Sequence, residues 1–231
     1  MPAPVFIADS CIGGLSVVKS LWASGSARRA VFKADYAINP LGVKSDAEIA
    51  AVARQWVEQA CACANTLVMA CNTLSVRYHQ LLEAGESFSS QVRIVSMVDC
   101  FEALVRSESE RLANCRVLVI GTEFTASQDL YPGLLRRLVP GVRPATAPAT
   151  ELERRIARFH AWQCNDEAVI NMQLKQAINE ADVAILACTC FPMAAEELSQ
   201  AFPEVVFLDP ASYCAGLVDE HSDGSERQLT I

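Results

Sequence analysis

The sequence predicts an α/β protein built as two similar lobes. Each is a mostly parallel sheet flanked by helices, and pseudo-two-fold symmetry relates them across a cleft that holds the site. Three observations predict this. Short apolar runs alternate with amphipathic stretches of helical length along the 231 residues, the pattern of a parallel or mixed sheet covered on both faces. Two of those runs end alike: Thr66 to Ser75 (TLVMACNTLS) and Val183 to Pro192 (VAILACTCFP) both pass through Ala-Cys into a polar turn. Each is preceded, roughly sixty residues upstream, by a strand ending in a polar pair, VFIADS from Val5 and VLVIGT from Val117. One device used twice points to related lobes, and the boundaries read as 1–96 with 209–231 for the first and 97–208 for the second.

In order, Val5 to Ala8 reads as a strand and Asp9 to Gly14 as the turn into a helix over Leu15 to Ala23, with Gly13 and Gly14 permitting backbone conformations and close approaches closed to other residues. A second strand, Ala30 to Ala34, leads to a loop with breakers at Asn39-Pro40 and Gly42. Ser45 caps the next helix, with Glu48 completing a capping box and apolar positions running to Ala64. After the Cys71 unit come a helix to Gly85, a strand from Val92 to Val95 and a helix from Val98 to Ala113. The second lobe opens with a strand from Arg116 to Ile120, then a helix from Phe124 to Leu138 that Pro132 must break or restart. A short strand at Val142, helices over Glu151 to Phe159 and Asp166 to Glu180, and the second cysteine strand, Val183 to Ala187, follow. The chain closes with a helix from Pro192 to Ala201, a strand from Val205 to Leu208, a helix from Pro210 to Val218 and a polar tail, Glu220 to Leu229, expected to fray.

A hydrophobic content of 52% supplies ample core for a soluble globular chain. The net charge of -8 and the lack of a Lys/Arg run argue against nucleic acid or an anionic membrane as partner and leave a small molecule. The N-terminus lacks a basic segment and a long apolar run, so the expected location is the cytoplasm. The ten cysteines lie mostly in apolar elements, where free thiols are expected. A homodimer suits a two-lobed chain of this size, although no interface stripe stands out.

Ligands of such sheets sit at the carboxyl ends of strands, where Asp9, Cys71, Thr122 and Cys188 all stand. A cysteine between a strand and a helix N-terminus meets partial positive charge that favours the thiolate. Two such thiols on opposite walls of a cleft can take a proton from one face of a carbon and return one to the other, inverting a stereocentre. Ser10, Thr73, Thr189 and the backbone near Asn72 would hold a carboxylate. This chemistry needs no metal and no cofactor, and neither a pyridoxal-lysine motif nor a dinucleotide-binding fingerprint is present.

These residues resemble the cofactor-independent aspartate/glutamate racemases, most closely the glutamate racemases. The likeness spans nearly the whole chain through Asp9-Ser10-x-x-Gly13-Gly14, Ala34-Asp35, Asn39-Pro40-x-Gly42-x-Lys44-Ser45, Ala70-Cys71-Asn72-Thr73, Ile120-Gly121-Thr122 and Cys188-Thr189-x-Phe191-Pro192. The resemblance implies that Cys71 and Cys188 are the two acid/bases and that Asp9 assists Cys71. It further implies that Ser10, Pro40, Leu41, Gly42, Asn72, Thr73, Thr122, Thr189 and Cys190 surround an amino-acid substrate. The family's second-lobe acid falls on Glu153, with Glu151 as its rival. A glutamate racemase would supply D-glutamate for peptidoglycan.

The chain departs from the family at four places. Cys190 stands where a histidine is usual, Leu41 replaces a tyrosine, Cys11 replaces a glycine, and the segment Ala147 to Thr150 is shortened. These departures leave open aspartate or another amino acid as substrate, a related dicarboxylate isomerase or decarboxylase, or a silent ligand-binding homologue. Asp9 could merely cap its turn, and Glu153 could belong to a solvated helix face. Cys11 and Cys190 serve equally well as packing or as site lining. The pairs Cys61/Cys63 and Cys188/Cys190 have the wrong spacing for zinc. Cys100, Cys115, Cys164 and Cys214 read as core, and His79, His160 and His221 as surface.

Overall fold

The computed structural model describes residues 4–26, 29–88, 91–218 and 228–231. Its elements run β1 (Val5–Asp9), α1 (Leu15–Ser24), β2 (Arg29–Ala34), α2 (Asp46–Cys61), β3 (Thr66–Met69), α3 (Asn72–Glu83), β4 (Arg93–Ser96), α4 (Met97–Ser107) and α5 (Ser109–Leu112). They continue with β5 (Arg116–Gly121), α6 (Glu123–Ser127), α7 (Leu130–Leu138), β6 (Arg143–Pro148), α8 (Thr150–Ala157) and α9 (Met172–Asn179). The chain ends with β7 (Val183–Ala187), α10 (Ala195–Ala201), β8 (Val206–Leu208) and β9 (Gln228–Thr230). It divides into two compact units, Met1–Cys100 with Ala211–Ile231, and Phe101–Pro210.

The first unit holds a five-stranded sheet in the order β4-β3-β1-β2-β9, parallel throughout. Side chains alternate across it as a strand's period of two requires. Val5, Ile7, Phe32, Val68 and Val95 pack into one apolar layer with α1 and Cys214, while Phe6, Ala8, Leu67, Met69 and Cys71 pack into the other with Trp56 and Leu74. With both faces covered, the strands read as continuous apolar runs rather than alternating ones. Ser45 caps α2 through both bonds of the capping box with Glu48, as the S-x-x-E spacing predicts. Gly14 has an ordinary right-handed helical backbone, so its need is space. A Cβ there would stand 2.7 Å from the Phe32 ring and 3.1 Å from the Asp9 Cβ, so glycine lets the turn close over the end of β1.

The second unit holds a four-stranded parallel sheet in the order β6-β5-β7-β8. β5 and β7 are its buried centre. The short strand expected at Val142 is instead six residues long and contains two prolines. The Arg143 and Ala149 amides donate to the carbonyls of Cys115, just before β5, and of Gly121, its last residue, both at 2.8 Å. Alternation therefore turns Pro144, Thr146 and Pro148 toward the open edge, where proline has no amide to leave unpaired.

Other departures also follow local chemistry. The helix expected from Asp166 begins only at α9, because the Asn171 side chain accepts from the Leu174 amide at 2.9 Å and caps it there. The stretch from Val98 to Ala113 divides into α4 and α5. The Phe124 to Leu138 stretch breaks between α6 and α7 at Gln128-Asp129, leaving Pro132 in the first turn of α7, where a missing amide costs no helical bond. The segment Pro210–Leu217 is a 310 helix. Of the polar tail, 220–227 lie outside the described residues, whereas Gln228 and Leu229 do not fray but belong to β9, pairing with β2. No helix among the described residues is long and apolar enough to cross a membrane.

Candidate active site

In the first unit β1 and β3 end side by side. The Ala70 amide donates to the Ala8 carbonyl at 2.8 Å, which extends the ladder one step beyond the strands and brings Ser10 level with Cys71. The Ser10 hydroxyl lies 3.5 Å from the Cys71 sulfur and 3.5 Å from Asp9 Oδ1, which also accepts the Ser10 amide at 2.6 Å. The Cys11 thiol donates to the other Asp9 oxygen at 3.9 Å. Asp9, Ser10, Cys11 and Cys71 are all buried, with Asp9 only 1% exposed. A carboxylate so placed is stable only with several donors around it, and the turn supplies them.

Cys71 is the N-cap residue of α3, and its carbonyl accepts the Ser75 amide. The expected effect of this position was a lowered thiol pKa. The structure reverses that expectation: burial pushes the Cys71 thiol well above its ordinary value and the Asp9 charge pushes the same way. The Leu74 amide and the Ser10 hydroxyl work in the opposite direction and are outweighed. Asn72 and Thr73 are buried beside it in the first turn of α3. Leu41 lies in the same apolar cluster as Cys71, Leu74 and Trp56, so the 310 turn Leu41–Val43 packs against α3. Gly42 is half-buried there, and Pro40 is exposed.

In the second unit β5 and β7 likewise end together, Gly121 opposite Ala187. A Cβ on Gly121 would meet the Thr125 side chain at 2.9 Å, so glycine lets α6 start directly from the strand end. Thr122 caps α6, accepting from the Thr125 amide at 3.3 Å and donating to the Thr125 hydroxyl at 3.1 Å. Cys188, Thr189 and Cys190 follow β7 and are buried, Cys190 completely. A 310 turn, Phe191–Ala194, carries the chain onward, its first amide bonded to the Cys188 carbonyl at 3.0 Å. α8 packs against that turn.

α8 carries both candidate carboxylates. Glu151 is held by Arg155 at 2.8 Å and by Arg154 at 2.5 Å, and the Arg155 hydrogen bond lowers its pKa first, with Arg154 adding to the effect. Glu153 is half-buried on the same helix. The geometry thus brings Asp9, Ser10, Asn72 and Thr73 to Cys71 in one unit, and in the other sets Thr122 level with Cys188 and the Glu153 carboxylate within 4.8 Å of the Cys190 sulfur.

Sequence reasoning passed over a further polar group in the first unit. Ser75 and His79, one turn apart on α3, both bond to the turn from β4 into α4. The readable signal was the S-x-x-D spacing of Ser96 and Asp99, a capping box.

A family model described as Asp/Glu/Hydantoin racemase matches residues 32–218. The glutamate racemase of Limosilactobacillus fermentum is 27% identical over 222 residues, covering 90% of this chain and 76% of its own. The crystal structure of the glutamate racemase from Campylobacter jejuni superposes with a TM-score of 0.79 at 22% identity, over 98% of this chain and 90% of that one. The glutamate racemase of Francisella tularensis, solved in complex with D-glutamate, does so at 0.74 and 21%, over 98% and 87%. The repeated strand-to-cysteine unit, the parallel sheets and the match over most of its length place this chain in the Asp/Glu/hydantoin racemase family, as an amino-acid racemase.

Proposed function

We propose that this racemase interconverts L- and D-glutamate without a cofactor, with Cys71 and Cys188 as its two acid/bases. The observation that carries the reading is the buried Asp9–Ser10–Cys71 group at the carboxyl ends of β1 and β3. One thiolate removes the α-proton, leaving the electron pair on the substrate as a carbanion, and the other thiol donates its proton to the opposite face. The roles exchange with the enantiomer bound.

A thiol that holds its proton firmly is ready as the acid. To act as the base it must first lose that proton, and Asp9, joined to it through the Ser10 hydroxyl, is the acceptor in the same group. Glu153 serves Cys188 in the same way, because Glu151 is already committed to two arginines. Ser10, Asn72, Thr73, Thr122 and Thr189 offer hydroxyl, amide and helix N-terminal donors to the substrate carboxylates, while Pro40, Leu41, Gly42 and Cys190 shape the walls. The D-glutamate so made would supply peptidoglycan synthesis, and the protein would work in the cytoplasm.

Leu41 favours a second reading. Its apolar side chain is buried in the Cys71 cluster where the resembling family carries a phenol, so aspartate or another amino acid is the alternative substrate. Proton NMR of L-glutamate and of L-aspartate in D2O with the reduced protein tests both. Loss of the glutamate α-proton signal, falling by at least about a thousandfold in rate in Cys71→Ser and in Cys188→Ser, is expected. Exchange of aspartate alone transfers the reading to that acid, and exchange untouched by either substitution removes the thiols from the mechanism.

A further inference from the structure

Met69, the last residue of β3, Ser75 and His79 of α3, and the β4–α4 turn form one hydrogen-bonded network behind Cys71. The Ser75 hydroxyl, fully buried, donates to the Met69 carbonyl at 3.0 Å and accepts the Met97 amide at 3.0 Å. One turn further along the same helix face, His79 Nε2 lies 3.0 Å from the hydroxyl of Ser96, also fully buried. Ser96 and Asp99 cap α4 reciprocally: the Ser96 amide and hydroxyl both donate to Asp99 Oδ2 at 2.7 Å, and the Asp99 amide returns a bond to the Ser96 hydroxyl at 3.2 Å.

The proton count fixes the role of the histidine. A serine hydroxyl has one proton, and here Asp99 receives it. The Ser96 oxygen therefore accepts from His79, which must carry its proton on Nε2. Asp99 Oδ1, 3.9 Å from that nitrogen, favours the same arrangement. The Tyr78 ring stands edge-on to the imidazole, with centroids 5.8 Å apart, and limits its rotation. Two adjacent turns of α3 are thus pinned to the start of α4, and the pinned helix is the one whose first residues surround Cys71.

We infer that His79 is a positioning residue for Cys71: its Nε2–H bond to Ser96, together with Ser75, holds α3 so that the helix N-terminus stays against the Cys71 that caps it and Asn72 and Thr73 stay buried beside the thiol. The value of this to catalysis rests on the racemase mechanism proposed above, but its effect on the thiol does not.

The test compares His79→Leu, which removes the donor, with His79→Gln, whose side-chain amide can donate to Ser96 without titrating. Alkylation of Cys71 by iodoacetamide is followed at that residue by mass spectrometry from pH 7 to 10, beside α-proton exchange of glutamate. In His79→Leu the alkylation profile is expected to move to higher pH and exchange to fall about tenfold in kcat with KM less affected; His79→Gln restores most of both. Unchanged alkylation and exchange in His79→Leu would overturn the inference, as would a His79→Gln variant no better than leucine. If His79→Leu does not fold, Ser96→Ala removes the acceptor and must give the same shift in alkylation. A shifted thiol profile in a protein that exchanges no amino acid, wild type included, would sink the racemase mechanism and leave the positioning role intact.

Discussion

At Cys71 the proton is the quantity that matters. Burial and the neighbouring Asp9 charge raise the thiol pKa in the folded chain, while the unfolded value stays near about 8.5. A raised folded pKa means that the native state keeps its proton where the unfolded chain has lost it. Its contribution to stability is therefore intact below about pH 8.5 and is lost as the pH climbs from there toward the folded value. Cys71→Ala removes this titration, so its melting temperature should fall less steeply than the wild type's between pH 8.5 and 10. Parallel slopes in calorimetry would mean that the thiol ionises as easily folded as unfolded. None of this was legible in the residue string, which marks Cys71 as the cap of a helix but not the depth of its burial or its distance from Asp9. The motif did mark which residues would gather: Asp9, Ser10, Asn72 and Thr73 lie where their positions at strand ends put them. Leu41 is marked only by the family resemblance, since a loop leucine carries no periodic signal, and packing in the Cys71 cluster is what holds it there. His79 was read as a surface residue because no motif contains it, and its role emerges only from the Ser96 hydroxyl buried beneath it.

Among the elements, those with both a period and a cap were readable. β7 runs from Val183 to Ala187 as its apolar run predicts, and α2 begins where Ser45 and Glu48 specify. Failures came where one residue overrode a pattern, as Asn171 did for α9. The end of α8 shows such an override with a cost. The Phe159 and His160 amides bond to the Ile156 and Arg155 carbonyls at 3.0 and 2.8 Å, the paired bonds of a Schellman closure. Phe159 thereby takes φ of 56° and lies 73% exposed, in a left-handed conformation that a Cβ resists. Glycine there would relieve the strain while forfeiting little packing. Phe159→Gly should stabilise the protein by roughly 0.5–1 kcal/mol, after the extra freedom of glycine in the unfolded chain is deducted. A lower midpoint in urea for the variant would show that the exposed ring makes contacts worth more than the strain.

For the molecule as a whole, the two parallel sheets explain why so much of the fold was readable: strands covered on both faces become uninterrupted apolar runs that composition alone reveals. β6 escaped because it lies at an edge and carries proline at two of its six positions, Pro144 and Pro148, a residue that argues against a central strand. Both stand on the outward side of the ladder, leaving Thr146 with the one amide along β6 that faces away from β5. Replacing both prolines by valine would complete a row of outward donors, and edge-to-edge association should follow. Analytical ultracentrifugation of Pro144→Val/Pro148→Val should show concentration-dependent species larger than any the wild type forms, and a double variant that sediments as the parent does would clear the edge of that role. The two prolines then act in an encounter they prevent. A folding or turnover assay in dilute solution would not register their loss; only the crowding of many copies in one compartment would make it visible.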